Sequence, residues 1–483
     1  MASSFITPNE LIFNRNHDSV ISADAPSASA SGWTVSISLE DDEQLQTIKL
    51  NQSSTTLEEL QRKHELVEVT ATLECAGNRR SELASSHQPA EGIQWGNAVI
   101  ANVVWGGASL RSVLLTAGVP DPYIHHPRDK LSELEPSEAE MLTDAAEWAR
   151  HLHLHLLSAQ ESSESDDPTR TEYFAASIPL PAAMHPNQGC LLAYQYNKQP
   201  LASKHGAPLR AVIPGHVGAR WVKWLNGLRI STKENDSPPM RQDYKLLVPY
   251  KDSEQTYAEK ASKDEEFRKE ELRKGKRLQR LEASCSVTQP SHDGDTFDLN
   301  SNNTISIKGY AVGQDGSPAS QVWVAIVPES SDDTSSEELL KSLPADVSWQ
   351  QAKFCHPQPQ DLAHSGVAST RWSWAWSLWQ ADLPVPSAEL RWAIVARCGE
   401  YDHLLSAAGD SSTLADLTTF HPRSYSDCFR RGTGEDLELE SQRFLQPLLA
   451  CHEEPVSQAL NVNSQMTTVH TTLPVSRRGT MPL

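Results

Sequence analysis

The sequence predicts an α+β domain followed by a β-sandwich, and three observations carry that prediction. Strand and helix signals alternate through the first half of the chain; a dense block of mixed charge then interrupts them; beyond it, short apolar–polar alternations recur between turn residues. With 483 residues the chain can hold two or three domains. The expected division is 1–250, 251–284, 285–405 and a polar tail over 406–483.

Thr56 followed by Glu59 is a capping-box pattern that opens a short helix on Leu57. Val67, Val69, Ala71 and Leu73 then alternate with Glu68, Thr70 and Thr72, the period of a half-buried strand. That strand runs into Cys75-Ala76-Gly77-Asn78-Arg79-Arg80, where Gly and Asn favour a tight loop over a rigid scaffold. A second patterned region extends from Tyr173 to Ile230. Residues 253–283 read as an exposed helix or a solvated linker because charges of both signs dominate them. Thr304 to Ala311, Gln321 to Ile326, Trp372 to Trp379 and Leu390 to Ala396 supply the strands of the sandwich. The tryptophans between Trp323 and Trp392 are expected in its core or in a dimer interface. The tail is rich in Ser, Thr and Glu and suggests no ordered element.

Lys and Arg number 42 against 63 Asp and Glu, a net charge of −21. That balance argues against nucleic acid and against an anionic membrane surface as partners, while leaving room for a local basic pocket. The seven cysteines form no C-x-x-C pair, so zinc ribbons and iron–sulfur clusters are not expected, and their sparse spread suggests reduced thiols in an intracellular compartment. No apolar run has the length of a membrane span and the N-terminus lacks a secretory pattern, so a soluble protein is expected, with mitochondrial, peroxisomal and cytosolic locations all open.

The chemistry concentrates around Cys75. Two neighbouring arginines create an electropositive setting that favours thiolate, which serves as nucleophile or soft metal ligand; a buried, inert cysteine is the alternative. Basic groups recur in Arg15-Asn16-His17 and at His205, Arg210, Arg220 and Lys223. Singly each is explained as surface charge; together with the glycines of residues 204–220 they form a candidate anion cradle. His151, His153 and His155 alternate as a strand would place three imidazoles on one face, either a metal site or an ordinary half-exposed strand.

The segment Leu73 to Glu82, with Trp95 to Gly107 and His205 to Leu225, resembles the sulfite oxidase family, here without a haem domain. The resemblance extends through Ser177-Ile178-Pro179-Leu180, Leu192-Ala193-Tyr194, Asp243-Tyr244-Lys245, Gly309-Tyr310-Ala311 and Trp374 to Trp379. It implies a molybdopterin-binding domain followed by an immunoglobulin-like dimerisation domain. It also implies a molybdenum–molybdopterin cofactor whose metal is bound by Cys75. Arg15, Arg80 and Tyr244 would line the substrate pocket, and His17, His205, Arg210, Arg220 and Lys223 would hold the pterin and its phosphate. The implied reaction is oxidation of sulfite to sulfate, with electrons passed to oxygen or to a separate acceptor protein. Two departures stand out: Glu91 replaces a lysine usual in the family, and no tryptophan–asparagine–leucine–arginine–glycine segment follows Arg397. A nitrate reductase-like enzyme and a non-catalytic homologue are therefore the competing expectations.

Overall fold

The structure is a computed structural model that describes residues 4–21, 32–81, 93, 95–124, 138–163, 169–246, 257–261, 263–290, 304–328, 343, 346–355, 374–385, 392–399 and 466–471. Two five-stranded sheets build the first part of the chain. One has the order Ser54–Thr56, Thr34–Leu39, Leu225–Ser231, His153–Glu161, Tyr173–Pro179, in which Thr34–Leu39 runs parallel to Leu225–Ser231. The other joins Leu66–Glu74, Ile100–Ser109, Leu191–Tyr196 and Gln199–Pro200, with Arg210–Val212 also paired to Leu191–Tyr196. Side chains of both sheets and of the helices Leu57–Lys63, Leu110–Thr116 and Leu180–Met184 meet in one apolar cluster. The helix at Leu57 begins as its sequence dictates: Glu59 N–H donates to Thr56 Oγ1 while the Thr56 N–H donates to Glu59 Oε2.

The strand Leu66–Glu74 departs from the half-buried expectation. From Val69 to Glu74 both faces are buried, because a later segment of the chain lies across its second edge. The Thr72 N–H donates to the Trp374 carbonyl, and the Trp376 N–H donates to Thr72 Oγ1. Trp374 thus belongs to the core of the first domain, and Trp376 packs with Tyr310 and Tyr244 at the junction. Of the aromatic run expected in the sandwich, Trp379 is the one among the described side chains that enters its core. Trp372 lies outside the described residues.

The later strands form two antiparallel four-stranded sheets. One has the order Ser284–Gln289, Thr304–Val312, Ser377–Pro384, Lys353–Phe354, and the other Gln350–Gln351, Gln321–Pro328, Trp392–Gly399, Met466–Thr471. Val287, Ile307 and Trp379 from the first sheet share a core with Val322, Val324 and Ile394 from the second. Gly309 makes this possible, since a Cβ there would stand 2.2 Å from the Trp379 ring. Met466–Thr471 lies in the tail from which the sequence suggests no order; β-branched residues let it pair along Trp392–Gly399.

The mixed-charge block also divides. Glu265–Lys274 is a helix capped by the Asp264 side chain, with three exposed Lys–Glu pairs, as the composition suggests. Residues 276–283 are not a solvated linker. Leu278 and Leu281 are buried, and Lys276–Arg277 pairs with Lys245–Leu246. The apolar residues are too few to alter the block's composition, yet they suffice to seal it into the junction. Among the described residues no helix is long and apolar enough to cross a membrane.

Candidate molybdopterin site

Cys75 is delivered by the end of the Leu66–Glu74 strand and is held by its own backbone. Its N–H donates to the Val99 carbonyl at 3.0 Å and its carbonyl accepts the Asn78 N–H at 2.9 Å. The Gly77 N–H points at Cys75 Sγ, 3.4 Å away. A Cβ at residue 77 would stand 2.4 Å from Arg80 Nη2, so a larger residue there would displace the Arg80 guanidinium. Asn78 staples the loop: its Nδ2 donates to Glu74 Oε1 and to the Tyr310 hydroxyl, and its Oδ1 accepts the Val99 N–H.

The two adjacent arginines part company. Arg79 adopts a left-handed backbone (φ 64°) and sends its guanidinium to the carbonyl of Cys285, at 2.9 Å, in the second domain. Arg80 turns toward Cys75, donates to the Ile93 carbonyl, and leaves its buried Nε without a protein partner. The electropositive setting expected for Cys75 does not lower its pKa. Burial pushes the thiol up, and the Gly77 N–H and the charges of Arg80 and Arg15 offset only part of that penalty.

A cavity of about 660 Å³, part of it open to solvent, lies against Cys75. Seven of the nine singled-out residues line it: Arg15, His17, Cys75, His205, Arg210, Lys223 and Tyr244. Phe13, Asn16, Gln160, Phe174 and Trp221 complete much of the wall and were not singled out by sequence. Asn16 lay inside a recognised basic segment, but nothing in the pattern around Gln160 or Phe174 marks either one. Arg80 and Arg220 stand behind the wall. Arg220 is fully buried and is consumed by protein groups, with Nε and Nη2 donating to the Leu278 carbonyl at 3.0 and 2.6 Å and its guanidinium 5.6 Å from the Tyr244 ring centre. Its guanidinium is thus committed to protein groups and does not line the cavity.

The remaining groups are held by backbone. Arg210 donates to the carbonyls of His205 and Trp221 and lies 4.9 Å over the Trp105 ring; burial pushes its pKa down to about 9. Lys223 Nζ donates to the carbonyls of Arg15 and Lys204 and contacts Asn16 Oδ1. His205 is pushed down to about 3 by burial and by the charges of Arg210 and Lys223, so its ring is neutral. Its Nε2 has no protein partner although the residue is 1% exposed. His17 Nε2 lies 2.9 Å from Asp243 Oδ2, a carboxylate of the Asp243-Tyr244-Lys245 segment to which the residue pattern assigned no site role. Burial pushes the Tyr244 hydroxyl far up, so it is a hydrogen-bond donor at any physiological pH.

One feature decides what such a cavity can take. Among the described residues no carboxylate forms an ion pair with Arg15, Arg80, Arg210 or Lys223. Buried and half-buried basic groups without a counter-charge favour an anionic ligand, and a thiol, a neutral imidazole and a phenol stand beside them.

Comparison with known proteins agrees. The family described as "Oxidoreductase molybdopterin binding domain" matches residues 22–239. "Sulfite oxidase, mitochondrial" of Homo sapiens is 30% identical over 403 residues, covering 82% of this chain and 56% of that protein. The chain is similar to the sulfite oxidases over most of its length. The cofactor of this family's domain is molybdenum–molybdopterin. The chain spans about half the length of the human relative, 56% of it. "Nitrate reductase [NADH]" of Hordeum vulgare is also 30% identical, over 329 residues, covering 68% of this chain and 30% of that one. The fold is shared with the sulfane dehydrogenase SoxCD from Paracoccus pantotrophus (TM-score 0.50, 19% identity, 82% of this chain and 72% of that chain).

The histidines of the alternating strand are a different matter. His155 bonds the Lys233 carbonyl and the Asn235 side chain, while His151 lies ahead of the strand and bonds Gln44. Among the described residues no group of His, Cys, Asp and Glu is arranged to hold a metal ion.

Glu74, beside Cys75, gives a testable pH dependence. Burial pushes its carboxyl from about 4.5 up to about 7, against the opposing effects of Asn78 and Arg79. The folded state therefore keeps a proton that the unfolded chain releases. Stability from this source is complete below pH 4.5 and is lost as pH rises through 7, about 3 kcal/mol in all. Glu74→Gln is expected to flatten that slope, as read by urea unfolding at pH 4.5, 6 and 8. Parallel profiles for the two proteins would contradict it.

Proposed function

We propose that this protein oxidises sulfite to sulfate at a molybdenum–molybdopterin centre. The observation that carries the reading is the set of convergent, uncompensated cations beside a buried thiol in a chain of net charge −21. The donor set fits the cofactor: Cys75 offers a thiolate once a metal replaces its proton, and His17, His205, Arg210 and Lys223 face the same cavity with hydrogen-bonding groups for the pterin and its phosphate. Arg220 is assigned a supporting role, since its guanidinium is committed to Leu278 and Tyr244. When bound, the cofactor supplies two-electron oxygen-atom transfer.

The chain's own residues do the rest. Arg15 and Arg80 draw a divalent oxyanion out of a repulsive global field, which only local cations can do. Tyr244 donates a hydrogen bond from a hydroxyl that stays protonated, and Arg220 fixes its ring. Phe13, Phe174 and Trp221 exclude water and so strengthen each of these interactions. The two facing sheets after residue 284 are assigned as an immunoglobulin-like homodimerisation domain, and electrons leave to oxygen or a separate acceptor protein. A dimer in light scattering that becomes monomeric when residues of these sheets are altered tests that assignment. Glu91 and the segment where the family's C-terminal arginine would fall lie outside the described residues.

Nitrate reduction is the second reading, favoured by the similarity to the barley enzyme. Metal analysis of the purified protein, followed by sulfite-dependent reduction of ferricyanide and nitrate reduction by a dye donor, separates the two. Molybdenum without turnover of either anion would leave a non-catalytic homologue. Arg80→Gln is expected to raise the KM for sulfite about tenfold, about 1.4 kcal/mol, at low ionic strength and less at high salt. An unchanged KM at low salt would show that Arg80, behind the wall, does not help draw in the anion.

A further inference from the structure

Two enclosed thiols meet across the core of the second domain. Cys285 lies on the strand Ser284–Gln289, opposite Ala311, and Cys398 lies on Trp392–Gly399 of the facing sheet, opposite Val322. They are 0% and 5% exposed and belong to one apolar cluster. The Cys398 thiol is in hydrogen-bond contact with the Cys285 side chain. Neither is in a disulfide, and the other described cysteines lie elsewhere: Cys75 and Cys190 in the first domain and Cys355 exposed.

We propose that Cys285 and Cys398 are a closable pair, forming on oxidation an inter-sheet disulfide directly behind the Cys75 loop. A disulfide needs two side chains that already face one another, and these do, on strands of two sheets that share one apolar core. The oxidant is a small-molecule disulfide. One cysteine thiolate attacks it, releasing one thiol and leaving a mixed disulfide; the second cysteine displaces the other thiol. Two cysteine protons and two electrons end on the two released small thiols, so the exchange balances. In the closed core the thiolate is scarce, because the contact with Cys285 and burial both push the Cys398 thiol up, and the Arg79 guanidinium is the cation that opposes this. The bond therefore forms when the sheets part and is afterwards sealed from reductant.

The position gives the pair a consequence at the cavity. Arg79 belongs to the Cys75 loop, and its Nη1 is anchored on the Cys285 carbonyl at 2.9 Å. Closing the pair pins the strand on which that loop leans. This inference stands independently of the substrate assigned above, since it concerns thiols in the second domain.

The test uses the full chain, incubated with oxidised glutathione at about 10 °C below its Tm, then unfolded in alkylating agent, digested and analysed by mass spectrometry. The expected product is a Cys285–Cys398 linked peptide, with a reductant-reversible rise in Tm of about 5 °C or more. Cys398→Ala should show neither the link nor the rise. Recovery of both peptides fully alkylated after oxidation, a link from either cysteine to a third one, or an equal Tm rise in Cys398→Ala would overturn the proposal.

Discussion

Cys75→Ser is expected to lower sulfite-dependent turnover by at least about 10³-fold, about 4 kcal/mol of transition-state stabilisation, while the fold survives. A thiolate is a soft, polarisable ligand; a buried serine hydroxyl would not ionise at this site, where burial already pushes the more acidic thiol up. Serine is close to isosteric, and the loop is held by backbone bonds of Cys75 to Val99 and Asn78 rather than by the sulfur alone. Circular dichroism and Tm should therefore stay near wild type while ferricyanide reduction by sulfite disappears. Retained turnover would remove Cys75 from the metal, and a parallel loss of structure would make it a packing residue.

Arg210→Met is expected to separate binding from stability. Its guanidinium is enclosed, stacked over Trp105 and bonded to two carbonyls, with no ion pair to a carboxylate among the described residues. In the cofactor-free chain that is an expensive arrangement, because an enclosed charge keeps only part of its hydration energy. Methionine fills similar volume without charge, so the cofactor-free protein should lose no more than about 1–2 kcal/mol for the two carbonyls left without donors. Cofactor retention should fall far more, by about 10²-fold in affinity, since a charge-assisted bond in a dry site would vanish. Molybdenum content after dialysis, read beside the urea midpoint of the cofactor-free form, checks both halves. Full metal retention with a collapsed midpoint would make Arg210 structural.

Much of the site is legible in the chain because it is local. Cys75, Gly77 and Asn78 form a turn closed by the local bonds Asn78 N–H to the Cys75 carbonyl and Gly77 N–H to Cys75 Sγ, so the motif and that part of the geometry coincide. The strand delivering it is legible as a strand but not as one buried on both faces. That burial comes from Trp374 and Trp376, some three hundred residues away, which no periodicity in residues 66–74 reports. Arg79 and Arg80 look equivalent in sequence, yet a left-handed backbone at Arg79 sends one to the second domain and leaves the other facing the thiol.

The chain by itself determined the α+β character of the first domain, the alternating strands of the second and the family resemblance, since each rests on residue type and short-range spacing. Only the tertiary structure decided the direction of the Cys75 pKa shift and which cations keep their charge uncompensated. It alone placed the Arg220 guanidinium beside Tyr244 and set Cys285 against Cys398. The physical reason is common to all four: desolvation, ion pairing and sulfur contact depend on distances between segments remote in sequence, and spacing along a chain does not encode them.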